Sequence, residues 1–472
     1  MSDNIILHGD IVLKGFEELT ILSLKIFQTL NEHSTLTLCA RLEEEDKDNY
    51  ADKLTLNRSV EASNFGETIF TGVITRAAVK TIRSVNYVEL TCLSHTYLMD
   101  IESESKSFQD KNMTYEDLVK TITQDYPNAS FMDKTTNGKK IGKPIIQYNE
   151  TDWEFLKRVA SHFNVPLIPD IRGKGPQFYF GLPDTAKGSL MAWNYMIEKD
   201  LNAYRAILSD VPSVSSSDFA YIHLETEKFF SLGDGVTFNT LPMHVVETSF
   251  EYEDAVIKNE CELSLKNGTL TPFVPNDNIS GCSIFGKVLD VARDNIKIHL
   301  EIDETQDVAK AFWYPYASMY ASKEETGWYC MPEKGDIIRL YHPKNSEDEA
   351  MAISSVKPHD PNENVEQLDP EHRMADPDVK YLRTAFGKEI KLRPDGIDII
   401  AKDGTVFMSM NDDGSVNLNS NDKISLTASN DIEMKARNIN IEAQEKLNII
   451  SKGSSIKMSD DIVIKGKEVK TN

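Results

Sequence analysis

From residue 390 to residue 464 the chain repeats one short pattern, apolar–x–apolar, ten times. The pairs are Ile390/Leu392, Ile397/Ile399, Val406/Met408, Val416/Leu418, Ile424/Leu426, Ile432/Met434, Ile439/Ile441, Leu447/Ile449, Ile456/Met458 and Ile462/Ile464. Their starts lie 7, 9, 10, 8, 8, 7, 8, 9 and 6 residues apart, with polar corners between them, three of which are Asp-Gly (395–396, 403–404 and 413–414). Alternation means that each short strand buries one face and shows water the other. A period near eight accommodates one such strand and one corner, and a single strand of that length encloses no core. A β-prism closes when three chains each supply one side, or when one chain makes three sides per coil. The first option gives a thin obligate trimer over residues 387–472. Its dry axis would be lined by Ile424, Leu426, Ile432, Met434, Ile439, Ile441, Leu447, Ile449, Ile456 and Met458. The alternative is a meander of ordinary hairpins, which needs tight two-residue turns between longer strands. The regular short spacing favours the prism.

Upstream the pattern changes. Residues 1–105 read as strands, at Ile5 to Val12, Leu36 to Leu42, Ile69 to Ile74 and Tyr87 to Leu93. A helical segment then occupies about 112–165. Its first helix starts at Thr114 as N-cap, with Glu116 and Asp117 in the first turn. Its second starts at Thr151-Asp152-Trp153-Glu154, a capping box in which Thr151 and Glu154 each satisfy an orphan amide. Strands return over about 177–270, including Phe219 to Leu224, Gly235 to Phe238, Val245 to Tyr252 and Ile257 to Leu265. A block of short strands over Ser283 to Val356 suits a small barrel. Pro358, Pro361, Pro370 and Pro377 among acids mark a linker.

Composition excludes several functions. A formal net charge of −24 argues against wrapping nucleic acid and against docking on anionic lipid. Five dispersed cysteines (39, 92, 261, 282 and 330) form no CxxC pair, so they read as reduced thiols of a chain folded in a cytosol-like compartment. The N-terminus, MSDNIILHGD, has no signal-peptide pattern, and no apolar run is long enough to cross a bilayer as a helix.

Candidate chemistry is sparse. Glu150, Asp152 and Glu154 could pair for acid–base work, but their place at a helix start favours capping and dipole roles. His342 and His359 lack the spacing of metal ligands and read as core or surface residues. Trp313 and Tyr314 could stack on bases, yet acidic surroundings favour barrel-core packing. No nucleophile-elbow, P-loop or dinucleotide-binding glycine pattern occurs. No catalytic residue, metal site or cofactor is expected.

The segment Ile146-Gln147-Tyr148-Asn149-Glu150-Thr151-Asp152-Trp153-Glu154-Phe155-Leu156-Lys157-Arg158 resembles the QYxETDWxFLxR signature of VgrG-type spike proteins. Phe70-Thr71-Gly72-Val73-Ile74 and Phe108-Gln109-Asp110 are similar to the same family. So are Trp328, Pro332, Gly335-Asp336 and Met351 to Val356, within an oligonucleotide/oligosaccharide-binding (OB) barrel, and Lys380 to Leu392, leading into the β-helix. The resemblance implies a mainly β fold: a hub of two β-barrels with a helical insert (1–275), an OB-fold barrel (276–357), a linker (358–386) and a C-terminal trimeric β-helix (387–472). It also implies a structural role in a contractile injection system (type VI secretion, phage tail, R-type bacteriocin or related particle). There a homotrimer joins a hexameric tail tube and baseplate components to a membrane-piercing tip. The particle is assembled in the cytoplasm and delivered outside on contraction; an effector cargo is a further partner. The tail-lysozyme version carries a hydrolase domain where this sequence has only the linker. No His is present at 464–472 to form an H-x-H iron tip, so Ile462, Ile464 and Val469 would meet a separate PAAR-type tip protein. The competing function is a β-helical polysaccharide-active or wall-degrading tail enzyme.

Overall fold

The computed structural model describes residues 11–42, 55, 58–64, 66–192, 194–226, 228–253, 256–319, 327–356, 375–401 and 404–458. It divides into two compact units, Met1–Pro358 and His359–Asn472. Most of the sequence expected as linker, together with Ile462, Ile464 and Val469, lies outside the described residues.

The first unit is built on one 12-stranded sheet. Its first half contains Ile11–Lys14, Thr20–Thr29, Thr35–Leu42, Ser59–Asn64, Glu67–Ile82 and Val85–Ser94. Alternation along Thr35–Leu42 and Val85–Ser94 buries every second residue, as the pleat requires. Leu36, Leu38, Ala40, Val88, Leu90 and Cys92 meet Ile26 and Phe70 in one apolar core. The second half holds Ala186–Leu190, Tyr195–Lys199, Ala220–Thr226, Gly235–Phe238, Leu241–Glu253 and Val256–Ser264 around a separate core that includes Phe238, Val245 and Leu263. The two expected barrels are thus halves of a continuous sheet: Thr20–Thr29 pairs antiparallel with Leu241–Glu253, so each supplies the backbone partners that the other's edge would lack.

Between the halves lie helices α1 (Tyr115–Thr123) and α2 (Asp152–Ser161). Thr114 caps α1 and Thr151 caps α2 with the full capping box. Trp153, Leu156, Val159 and Ala160 of α2 pack with Leu118, Val119 and Ile122 of α1 in a third core. One helix is absent from the sequence reading: α3 (Leu201–Leu208), capped by Asp200, lies in a stretch read as strand.

Residues 283–356 form a five-stranded antiparallel sheet ordered Trp313–Pro315, Asn295–Leu300, Ser283–Ala292, Ile337–Tyr341 and Met351–Val356. A parallel bridge from Tyr316 to Ala352, with the Ala317 amide on the Ala352 carbonyl at 2.8 Å, links its outer strands into a barrel. Gly335 (φ 98°) takes the turn before Ile337–Tyr341, where only glycine is unstrained. Tyr314 is a core residue, but Trp313 is 37% exposed beneath Lys297, so packing claims one of this aromatic pair and not the other.

In the second unit the strands pair within one chain. Lys380–Arg383, Glu389–Arg393, Gly396–Ala401, Val406–Asn411 and Val416–Asn419 form a five-stranded antiparallel meander. The first four apolar pairs of the repeat therefore sit in hairpins. Gly404 and Gly414 of the Asp-Gly corners take left-handed φ (85° each), which closes such loops without strain. Leu447–Ser451 and Ser454–Met458 pair as another hairpin. Between them, residues 420–446 belong to no strand or helix.

Candidate functional site: a charged joint and an unpartnered apolar face

The signature segment makes a buried polar joint between α2 and the small barrel. Arg158 is 2% exposed and receives Glu150 in a bidentate pair, Nε to Oε1 and Nη2 to Oε2, both 2.8 Å. Its Nη1 donates to Glu347 Oε1 at 3.1 Å, and its Nη2 to the Ile146 carbonyl at 2.6 Å. Asn276 donates to the same carbonyl (2.8 Å) and to Glu347 (3.3 Å). Ile146 itself belongs to the barrel core, so strand Ile145–Thr151 ties charge and apolar packing together. A second seam runs from Ser107, whose amide (2.7 Å) and hydroxyl (2.5 Å) both donate to Asp303.

The three carboxylates named as acid–base candidates are all engaged. Glu150 holds Arg158, Asp152 accepts from Tyr126 (2.7 Å) and Gln147 (2.9 Å), and Glu154 accepts the Thr151 amide (3.0 Å). Thr151 accepts from the Glu154 amide at 3.2 Å and donates to Asp100. His33 stands between Thr96 (2.8 Å) and Asp100 (3.2 Å) in the order of a hydroxyl–imidazole–carboxylate relay. Thr96 is 1% exposed, however, so its hydroxyl offers no attack on a substrate and the trio ties the sheet to α2 instead. Beside Arg158, burial and that cation hold the His162 imidazole down at about 4. His342 is buried with its affinity for a proton lowered by burial. Among the described residues no group of three or more His, Cys, Asp or Glu could hold a metal, and all five cysteines are free.

The second unit carries the other distinctive surface. Leu382, Ile390, Ile399, Met408 and Leu418 stand in one cross-strand row, and Leu392, Ile397, Met410 and Val416 in the next. This face is open: seven of the nine are at least 39% exposed, and Met408 and Met410 are half-buried. The opposite face is mainly polar yet better covered. There Arg383 donates to Glu389 (3.1 Å), while Arg393 donates to Asp398 (2.8 Å) and Asn411 (3.0 Å). The buried described residues beyond 356 are Gly387, Glu389, Gly396 and Ser409, so no apolar side chain there is buried within one chain.

The residues expected to line a trimer axis are also open. Ile424, Leu426, Ile432, Met434, Ile439 and Ile441 are 49–71% exposed, Ile449 is 49% exposed and Leu447 is half-buried. Side chains of Ile456 and Met458 lie outside the description. Sequence reasoning missed Glu347, which sits in the run Ser346-Glu347-Asp348-Glu349.

Residues 28–163 match the model of the phage tail baseplate hub family. No curated protein matches the chain. Among solved structures, an Escherichia coli protein, c3393, aligns with a TM-score of 0.55 at 12% identity, covering 74% of this chain and 100% of that one. It is described as a type VI secretion component with structural similarity to the T4 bacteriophage tail proteins gp27 and gp5. The Francisella PdpA–VgrG complex aligns with a TM-score of 0.52 at 10% identity, covering 88% of each chain. The chain thus matches the phage tail baseplate hub family over residues 28–163, and its mainly β fold resembles those of the c3393 protein and the Francisella PdpA–VgrG complex.

Proposed function

We propose that the chain is the structural hub-spike of a contractile injection system, acting as a homotrimer with residues 387–472 as its spike. The hub unit would seat a hexameric tail tube among baseplate components, and the spike would carry a separate tip through the target membrane. Residues 1–275, 276–357 and 358–386 would serve as hub, OB barrel and linker. The observation that carries this reading is the second unit itself. A segment that exposes two rows of apolar side chains and a further run of apolar pairs, while burying none among the described residues, is incomplete as a single chain. Copies of the same segment supply what is missing. The engagement of Glu150, Asp152 and Glu154 in structural pairs supports a mechanical rather than a catalytic role over the tail-enzyme alternative.

The test concerns the distal end. Ile462, Ile464 and Val469 would form the final apolar layer on which a PAAR-type tip sits, one tip per three chains. Deleting 456–472 should abolish capture of a PAAR-type protein encoded beside this one and leave the hub folded. Unchanged capture by the deleted form would contradict the proposal.

A further inference from the structure

After the last strand of the sheet, Val256–Ser264, the chain reaches the small barrel through a strap, Thr271–Asn276, that belongs to no helix or strand. Pro272 and Pro275 have no amide hydrogen to give, and each of the other four amides is bound. Thr271 donates to the Asn164 carbonyl (3.2 Å), Phe273 to Asp210 Oδ2 (2.8 Å), Val274 to Ser161 Oγ (2.9 Å) and Asn276 to the Asn345 carbonyl (3.2 Å). The Asn164 side chain returns a bond to the Thr271 carbonyl at 3.1 Å. Much of the strap is thus stitched to the C-terminal end of α2.

His162, the C-cap of α2, meets the strap ring on ring: its imidazole stacks on Phe273 with centroids 5.6 Å apart and planes at 24°. Tyr115 of α1 approaches the imidazole edge-on, with its hydroxyl 3.2 Å from Nδ1. Phe273 is 50% exposed and belongs to none of the apolar cores, so this stack and its own amide hold it. The charges around the imidazole are Arg158 of α2, Lys139 and Lys143 of the loop before Ile145–Thr151, and Glu347 of the barrel. Arg158 is paired with Glu150 and Glu347, and Lys143 with Asp348 at 2.7 Å. Lys139 lies over the Phe163 ring, 5.0 Å from its centroid. The strap carries no acid of its own, and Asp210 bonds to its backbone. A proton on His162 would stand among three cations and one carboxylate that is already engaged.

We propose that His162 is a proton-operated latch: neutral, it holds the strap against α2, and protonated, it releases the strap and loosens the joint between hub and barrel. A stacked, partly covered imidazole is poorly hydrated when charged, and the surrounding cations repel it. Lifting the strap returns the ring to water, so the opened form binds the proton more tightly and acid shifts the balance towards it. Burial and then Arg158 hold the closed form's pKa at about 4, below the ordinary value near 6.5, which gives the same sign. The latch is therefore closed above about pH 6.5 and weakens as pH falls towards 4. Arg158 to Glu347 and Ser107 to Asp303 bind barrel to hub without the strap, so the joint loosens and does not part. The inference concerns one chain and stands apart from the homotrimer reading.

Hydrogen exchange followed by mass spectrometry on the full chain reads the latch, with rates scaled to those of the unstructured chain at each pH. Protection of a peptide covering 270–277 should fall about tenfold between about pH 7 and pH 5, while peptides covering Val85–Ser94 and Asn295–Leu300 keep theirs. His162→Gln, which keeps a polar side chain without the titration, should abolish the fall. Phe273→Ala should lower protection at neutral pH and shrink the fall, which decides the matter where His162→Gln does not fold. A strap whose protection ignores acid, or falls equally in His162→Gln or in Phe273→Ala, overturns the latch. So does a loss shared with the two core strands, which is general unfolding and not release of the strap.

Discussion

Arg158 joins two carboxylates from distant parts of the sequence, Glu150 eight residues before it and Glu347 beyond the second half of the sheet. A buried ion pair costs desolvation when it forms, so its removal is felt mainly through the charges left behind. Arg158→Ala leaves Glu150 and Glu347 buried without a cation, and the first unit should lose about 3–5 kcal/mol. Urea unfolding checks this; a midpoint unchanged from the parent chain would contradict it. His162, beside Arg158, sets a pH dependence. Its folded pKa of about 4 lies below the unfolded value near 6.5, so the unfolded chain binds the extra proton between them. Stability is therefore full above about pH 6.5 and falls as pH drops towards 4, by about 3 kcal/mol from this residue. Burial lowers His95 and His342 in the same direction. The parent should lose more stability than His162→Gln over pH 6.5 to 4 in urea titrations, and equal losses would show that His162 is not the source.

Among the elements, both caps of α1 and α2 were legible because capping chemistry is local: Thr151 and Glu154 sit three residues apart and need nothing distant. The small barrel's strands were legible for the same reason, through alternation at Ile296, Ile298 and Leu300. Glu347 was not, since an acid in a polar run acquires its role only from a guanidinium 189 residues away. Helix α3 was hidden because Leu201–Leu208 buries only Ile207 fully, leaving too little periodicity to read. In the second unit the alternation was legible, whereas the closure of three copies is a property that no single chain carries. The same x-apolar-x-apolar pattern serves a prism strand and a hairpin strand, and Gly404 and Gly414 tip the choice to hairpins over 380–419. Two substitutions probe its two apolar regions. Ile439→Asp and Met408→Asp would each bury three carboxylates in a trimer core, which is costly enough to shift their protonation or break the contact. Both should reduce the trimer fraction at micromolar concentration in analytical ultracentrifugation. An unaffected Met408→Asp trimer would remove the sheet face from the interface, and an unaffected Ile439→Asp trimer would do the same for residues 424–441.

On the scale of the whole molecule, the two units follow different rules. The first has four sizeable apolar cores of its own and needs no second copy to bury them. The second buries no apolar side chain among its described residues, so its fold and its oligomeric state are one question. Like charge on separate particles keeps them apart in solution. Light scattering on the purified full chain at micromolar concentration tests the oligomeric state most directly. The account predicts a single species of three times the chain mass that persists on dilution. A species of one chain mass, with the apolar rows of 382–418 exposed to water, would contradict it.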